Sequence, residues 1–116
     1  MFNRFFGKPS PNDAAVDVTE AQRRLTSREA LLIDVREPDE WAAGHVAGAR
    51  HIPLADLPTR LTEIPRDQPV LLFCRSGNRS GKATAFLRGQ GFAQATNVAG
   101  GIIAWQGAGL PVTRGK

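Results

Sequence analysis

The sequence predicts an α/β domain in which helices cover both faces of a parallel sheet. Two short runs, Leu31–Val35 and Val70–Phe73, are apolar at consecutive positions except for Asp34, as buried parallel strands are. Helix signals fall between and after these runs, and that alternation favours crossover connections between parallel strands. The 116 residues are enough for one domain with its own core.

The first predicted elements are an edge strand and a short helix. Thr19 and Gln22 have the spacing of a capping box, with Thr19 as the N-cap, so the helix should run to about Leu25. Val16 and Val18 precede this helix and can add the edge strand.

The segment after the strand Leu31–Val35 predicts a second helix. Pro38 suits the first turn of this helix, and Gly44 closes it as a C-terminal cap. Ala49–Ile52 is a weaker strand, which Pro53 ends.

The second half of the chain continues the same alternation. A helix from Leu54 to about Leu61 is interrupted by Pro58, and the strand Val70–Phe73 comes next. After a polar loop, a helix is predicted from Ser80 to about Gly89. The last predicted elements are a strand at Ala95–Val98 and a helix that opens at Gly100-Gly101 and runs through Trp105.

Composition and charge narrow the classes of function. Fifteen Lys and Arg against eleven Asp and Glu give a formal net charge of +4, but the arginines are dispersed and no aromatic stacking platform accompanies them. We therefore expect small anionic partners rather than nucleic acid. With a single cysteine the chain cannot form an internal disulfide or a multi-thiolate zinc site, and neither a metal nor a cofactor is predicted.

The two ends of the chain are predicted to lie outside the domain. Residues 1–15 contain no apolar run long enough for a signal sequence or a membrane span. We interpret 1–15 as a flexible tail, 16–112 as the domain and 113–116 as a short C-terminal tail. A cytoplasmic protein with no membrane partner is expected.

Cys74 stands where the apolar run Val70–Phe73 gives way to a polar loop. A lone cysteine at the end of an apolar strand is most often a small buried hydrophobic residue. Packing alone does not explain the loop after it, because Arg75 and Arg79 flank a Ser-Gly-Asn turn and Ser80 comes next. Nearby cations, loop N–H groups and the N-terminus of a helix lower the pKa of a thiol. Cys74 is therefore predicted to be a reactive thiolate that handles anions.

Asp34 and Arg36 lie at the end of another strand of the predicted sheet. Ligands of parallel sheets bind outside the carboxyl ends of the strands, so both residues are expected beside the pocket of Cys74. A carboxylate buried there needs a partner, and Arg36 or a loop N–H can supply one. We assign both residues a supporting role.

Four sequence blocks resemble the rhodanese family of sulfurtransferases. They occur in the expected order, span about residues 16–112, and read LIDVRE at 32–37, GHVAGARHIP at 44–53, CRSGNRS at 74–80, and GGIIAW at 100–105 with AGLPV at 108–112. The resemblance implies a single rhodanese-like α/β domain with a central, mostly parallel sheet of about five strands. It also implies that Cys74 is the catalytic cysteine and carries a persulfide. The substrate-binding cradle implied around it consists of Arg75, Ser76, Gly77, Asn78, Arg79 and Ser80.

Two positions bear on how closely the family pattern applies. Arg75, a basic residue in the second loop position, resembles family members that use thiosulfate. His51 occupies a position where asparagine is more common in the family. We interpret His51 as a hydrogen-bonded residue at a strand end without a catalytic role.

The resemblance and the loop chemistry predict that Cys74 takes sulfur from a small anionic donor such as thiosulfate. The acceptor would be cyanide, a small thiol or a protein cysteine. A non-enzymatic persulfide carrier is the alternative from another functional class. A phosphatase or arsenate reductase is disfavoured, because those signatures need five residues between cysteine and arginine, and only four separate Cys74 from Arg79.

Overall fold

The structure, a computed structural model, describes residues 14–115 and has the predicted α/β fold. Within those residues five strands form one sheet in the order β1-β5-β4-β2-β3, and every pairing is parallel. The strands are β1 (Ala15–Val16), β2 (Leu31–Asp34), β3 (Arg50–His51), β4 (Val70–Phe73) and β5 (Ala95–Val98). The central position of β4 explains why all four of its residues are buried.

Helices cover both faces of this sheet. The α-helices of the described residues are α1 (Val18–Thr26), α2 (Pro38–Ala43), α3 (Asn78–Gly89) and α4 (Gly101–Gly107). The segment predicted as a helix interrupted by Pro58 forms two short 3₁₀ helices instead, Leu54–Thr59 and Leu61–Glu63. A proline lacks the N–H that an α-helix needs at that point.

Two hydrophobic clusters lie on opposite faces of the sheet, and β4 contributes to both. Leu72 and Cys74 pack into the cluster beneath α3, whereas Leu71 and Phe73 pack into the cluster beneath α1 and α4. This alternation results from the two-residue period of a strand. It places Cys74 at the end of a fully buried strand.

The predicted start of α1 is wrong. Its N-cap is Asp17, whose carboxylate accepts a hydrogen bond from the backbone N–H of Glu20 at 2.9 Å. Thr19 is therefore inside the helix, and Val18, predicted for the edge strand, is the first helical residue. Aspartate caps a helix at least as well as threonine and adds a charge that the helix N-terminus favours.

The C-terminal residues predicted as a tail are hydrogen-bonded to the domain. Thr113 and His45 exchange two backbone hydrogen bonds of 2.7 and 2.8 Å, and the N–H of Gly115 donates to the carbonyl of Ala42 at 3.0 Å. The folded unit thus continues beyond residue 112. The predicted N-terminal tail, 1–15, falls outside the described residues except for its last two. Over residues 14–115 no helix has the length and apolar character needed to cross a bilayer.

Candidate active site

The candidate site forms where β4 leads through a tight loop into α3. Gly77 has a backbone φ of +103° and is the N-cap of α3, so the helix begins at Asn78, two residues earlier than predicted. A left-handed conformation at this point favours glycine. The turn folds the loop back over Cys74, which is only 1% exposed.

Three groups that can donate a hydrogen bond converge on the sulfur of Cys74. The backbone N–H of Gly77 lies 3.1 Å from Sγ, the backbone N–H of Ser80 3.4 Å, and Oγ of Ser80 3.2 Å. All three come from the loop and first turn of α3. Such a cluster of donors stabilises a negative charge on that atom.

The pKa of the Cys74 thiol is lowered by these hydrogen bonds. Burial raises this pKa, but the Ser80 hydroxyl and the backbone N–H groups of Ser80, Gly77 and Ser76 together outweigh the effect of burial. We expected guanidinium groups to contribute as well; the largest lowering effects come from neutral donors, and Arg79 adds a smaller electrostatic attraction to the thiolate. The thiolate is stabilised chiefly by short-range contacts that water does not screen.

Arg79 is held by a glutamate from another helix. Its Nη1 and Nη2 atoms donate to the two carboxylate oxygens of Glu40 on α2 at 2.7 and 2.9 Å. This pair lowers the pKa of Glu40 to about 2, mainly through the hydrogen bonds from Arg79. The ion pair ties the start of α3 to α2 and compensates much of the positive charge that Arg79 was predicted to offer an anion.

Asp34 and Arg36 form a buried ion pair at the end of β2. The Arg36 guanidinium donates to both carboxylate oxygens of Asp34 at 2.8–3.0 Å, and the pair is almost fully buried. Arg36 also donates to the backbone carbonyls of Glu40 and Gly44 at 3.2 and 2.7 Å. The pair therefore fastens the middle and the C-terminal cap of α2 to the sheet, and α2 in turn positions Glu40 against Arg79.

The remaining predicted loop residues lie at the rim of the site. Arg75, Ser76 and Asn78 extend from the turn, and Arg75 is exposed. Across residues 14–115 no ion pair involves Arg75. Of the arginines predicted to bind substrate, Arg75 is thus the one whose charge is not already matched by a carboxylate.

Both histidines bond backbone carbonyls and stack on one indole. His45 Nδ1 donates to the carbonyl of Trp41 at 2.7 Å, and His51 Nε2 donates to the carbonyl of Arg36 at 2.7 Å. Their rings lie nearly parallel to that of Trp41, with centroid separations of 3.6 and 4.8 Å. This arrangement agrees with the interpretation of His51 as a hydrogen-bonded strand-end residue.

Helix α4 supports the loop from the other side. Its first N–H groups, from Ile102 and Ile103, donate to the carbonyls of Cys74 and Arg75 at 2.9 and 3.1 Å. This approach requires Gly101, where a Cβ atom would collide with the backbone of Cys74 and Arg75. This contact explains the second of the two glycines in the fourth sequence block.

Two site residues were missed by sequence reasoning. Glu40 gave no local signal, because an acidic residue in the first turn of a helix is common. Asn97 on β5 donates through Nδ2 to the carbonyl of Gly77 at 3.1 Å and accepts through Oδ1 from the Ser80 hydroxyl at 2.6 Å. The available signal was an amide side chain inside a predicted strand. Over the described part of the chain, no group of three or more His, Cys, Asp or Glu residues is arranged to hold a metal ion.

The sequence is similar to a known family of protein domains. Residues 17–108 match the model of the rhodanese-like domain. The chain belongs to this family. A sulfurtransferase from Allochromatium vinosum is 44% identical over 92 residues, which cover 79% of this chain and 86% of that protein. A thiosulfate sulfurtransferase from Ectopseudomonas mendocina is 36% identical over 84 residues, covering 72% and 77% respectively.

Solved structures of the family have the same fold. A rhodanese-related protein from Thermoplasma volcanium superposes with a TM-score of 0.79 at 30% identity, covering 85% of this chain and 96% of that one. A human single-domain sulfurtransferase superposes with a TM-score of 0.75 at 29% identity, covering 81% and 96%. The predicted single-domain rhodanese-like fold is confirmed.

Proposed function

We propose that this rhodanese-like protein is a thiosulfate sulfurtransferase that works through a persulfide on Cys74. The observation that carries the proposal is the convergence of three donors, at 3.1–3.4 Å, on one buried sulfur atom. A site built in this way favours a thiolate over a thiol and needs no general base beside it.

In the first half-reaction the Cys74 thiolate attacks the outer sulfur of thiosulfate. The sulfur–sulfur bond of thiosulfate breaks, and its electron pair leaves on sulfite. The product is a Cys74 persulfide with one negative charge on its outer sulfur. Exposed Arg75 is the residue we assign to the sulfonate oxygens, through charge-assisted hydrogen bonds. Backbone N–H groups of the loop, from Ser76, Gly77 and Asn78, solvate the outer sulfur.

In the second half-reaction a thiophilic acceptor attacks the outer sulfur. The bond between the two sulfur atoms breaks, and its electron pair returns to Cys74 as thiolate. Cyanide, a small thiol and a protein cysteine all have the required nucleophilicity. Arg79 still forms part of the cradle, because Glu40 holds its guanidinium beside the loop.

Mass spectrometry of the intact protein tests the proposal. Thiosulfate should add one sulfur atom to the reduced protein with release of an equivalent of sulfite. Cys74→Ser, and wild type whose thiol is first blocked with iodoacetamide, should show neither. An unchanged mass in folded, reduced wild type would refute a persulfide formed from thiosulfate.

A persulfide carrier is the second candidate, because the same cradle can receive sulfur from a protein donor. The discriminating measurement compares loading of Cys74 by thiosulfate with loading by a cysteine desulfurase that bears its own persulfide. Loading by the desulfurase alone would favour the carrier. Phosphatase activity is tested in the same buffer with an aryl phosphate, whose hydrolysis should be negligible beside thiosulfate turnover.

A further inference from the structure

A half-buried amide on β5 lies behind the reactive sulfur. The carbonyl oxygen of Gly77, 3.1 Å away, can only accept a hydrogen bond, so the atom of Asn97 that faces it is the nitrogen, Nδ2. Oδ1 must then be the atom that lies 2.6 Å from Oγ of Ser80. The orientation of the Asn97 side chain is fixed by its two partners.

The Ser80 hydroxyl lies between two groups that compete for its single proton. Its oxygen is 2.6 Å from Asn97 Oδ1 and 3.2 Å from Cys74 Sγ, and Ser80 has no exposed surface. Oδ1 carries no proton, so the shorter contact requires Ser80 to donate to it. While Cys74 is a thiol, its S–H can donate to Oγ and satisfy both contacts. Once Cys74 ionises, Sγ and Oδ1 are both acceptors.

We propose that Asn97 is a positioning residue. Its Oδ1 accepts the hydrogen bond of the Ser80 hydroxyl while Cys74 is a thiol, and the hydroxyl donates to the sulfur instead when Cys74 ionises. The hydroxyl turns to Sγ in the thiolate. It returns to Asn97 when the negative charge moves to the outer sulfur of a persulfide. The thiol–thiolate half of this cycle concerns Cys74 alone, and the persulfide half rests on the proposed function.

The charged groups at this edge of the sheet do not take the place of the hydrogen bond between Ser80 and Asn97. Arg75 and Arg79 come from the loop and α3, and Glu40 of α2 pairs with Arg79. Asp34 and Arg36 at the end of β2 pair with each other. Neither β5 nor α4 contains an ionisable side chain. The charges of the five residues stay the same when Asn97 or Ser80 is replaced by a neutral residue, so a double-mutant comparison cancels them.

A cycle of Asn97→Leu and Ser80→Ala measures the competition. The rate of alkylation by iodoacetamide, monitored by intact mass against pH, reports the pKa of Cys74 directly because the chain has no other cysteine. Ser80→Ala should raise this pKa in wild type. In the Asn97→Leu background, Ser80→Ala should raise the pKa of Cys74 by about half to one pH unit more than in wild type. The reason is that the Ser80 hydroxyl there donates to the thiolate without a competing acceptor.

The sign of the coupling between the two substitutions distinguishes competition for the Ser80 hydrogen bond from simple support of Ser80 by Asn97. If Asn97 merely held Ser80 in place, Ser80→Ala would matter less in the Asn97→Leu background, and that result or a zero coupling would overturn the proposal. Asn97→Ala is the second variant, used with circular dichroism to check folding. It also removes the acceptor without adding a charge, so Ser80→Ala should again raise the pKa of Cys74 more than in wild type. Alkylation needs no sulfur donor, so this test and the thiosulfate test fail independently.

Discussion

Replacing Gly101 with alanine tests whether α4 positions the loop that holds Cys74. Gly101 has a φ of +53°, and a Cβ atom there would lie 2.6 Å from the carbonyl carbon of Arg75 and closer still to the carbonyl oxygen of Cys74. These are backbone atoms, which cannot rotate away as the end of a side chain can. The N-terminus of α4 must therefore withdraw from the loop.

The loss of stability is set by the contacts that break. Withdrawal removes the hydrogen bonds from Ile102 and Ile103 to the carbonyls of Cys74 and Arg75. Each contributes roughly 0.5–1.5 kcal/mol, and the left-handed conformation costs alanine roughly 1–2 kcal/mol. The expected loss is about 2–5 kcal/mol, a large share of the roughly 5–15 kcal/mol that stabilises a typical domain.

Urea unfolding monitored by tryptophan fluorescence measures this loss. Gly89→Ala is the matched control, because Gly89 ends α3 and a Cβ atom there meets nothing within 4 Å. This control should be unchanged or slightly more stable, since alanine favours a helix. Gly101→Ala should also alkylate at Cys74 with a changed pH profile. A loss below about 1 kcal/mol, with a wild-type alkylation profile, would refute the reasoning.

Three further predictions concern charges at the site. Arg75→Ala should lower kcat/KM for thiosulfate about tenfold to a hundredfold, since a hydrogen bond to a charged group contributes roughly 1.5–3 kcal/mol, whereas the exposed Arg114→Ala should not; equal effects would contradict the role of Arg75. Glu40→Gln should lower the free energy of unfolding by about 1 kcal/mol near pH 7, a small value because both partners are partly exposed. The folded-state pKa of Glu40, about 2, lies below its ordinary 4.5, so the advantage of wild type in urea unfolding should be full above about pH 4.5 and vanish towards pH 2; a difference independent of pH would contradict the ion pair. Finally, the alkylation midpoint of Cys74 should lie below the ordinary thiol pKa of about 8.5, and a midpoint at or above it would show that the donors do not stabilise the thiolate.

Much of the fold was predictable because its signals are local. The apolar run 70–73 and the proline that opens α2 mark their elements with no reference to the rest of the chain. The start of α1 was not predictable with the same certainty, because Asp17 and Thr19 are both good N-cap residues two positions apart. Which of them caps the helix depends on where β1 joins the sheet.

The sequence by itself determined the chemical identity of the site: one cysteine at the end of a buried strand, a glycine turn, and donors from the start of a helix. These features lie within seven consecutive residues, so neighbouring residue types and their spacing carry them. Only the tertiary structure decided what surrounds that loop. Glu40 neutralises Arg79 across 39 positions, and Asn97 reaches Ser80 across 17. The order of strands and the packing of α2 and β5 bring these side chains together, and hydrogen bonds act only over the last few ångströms.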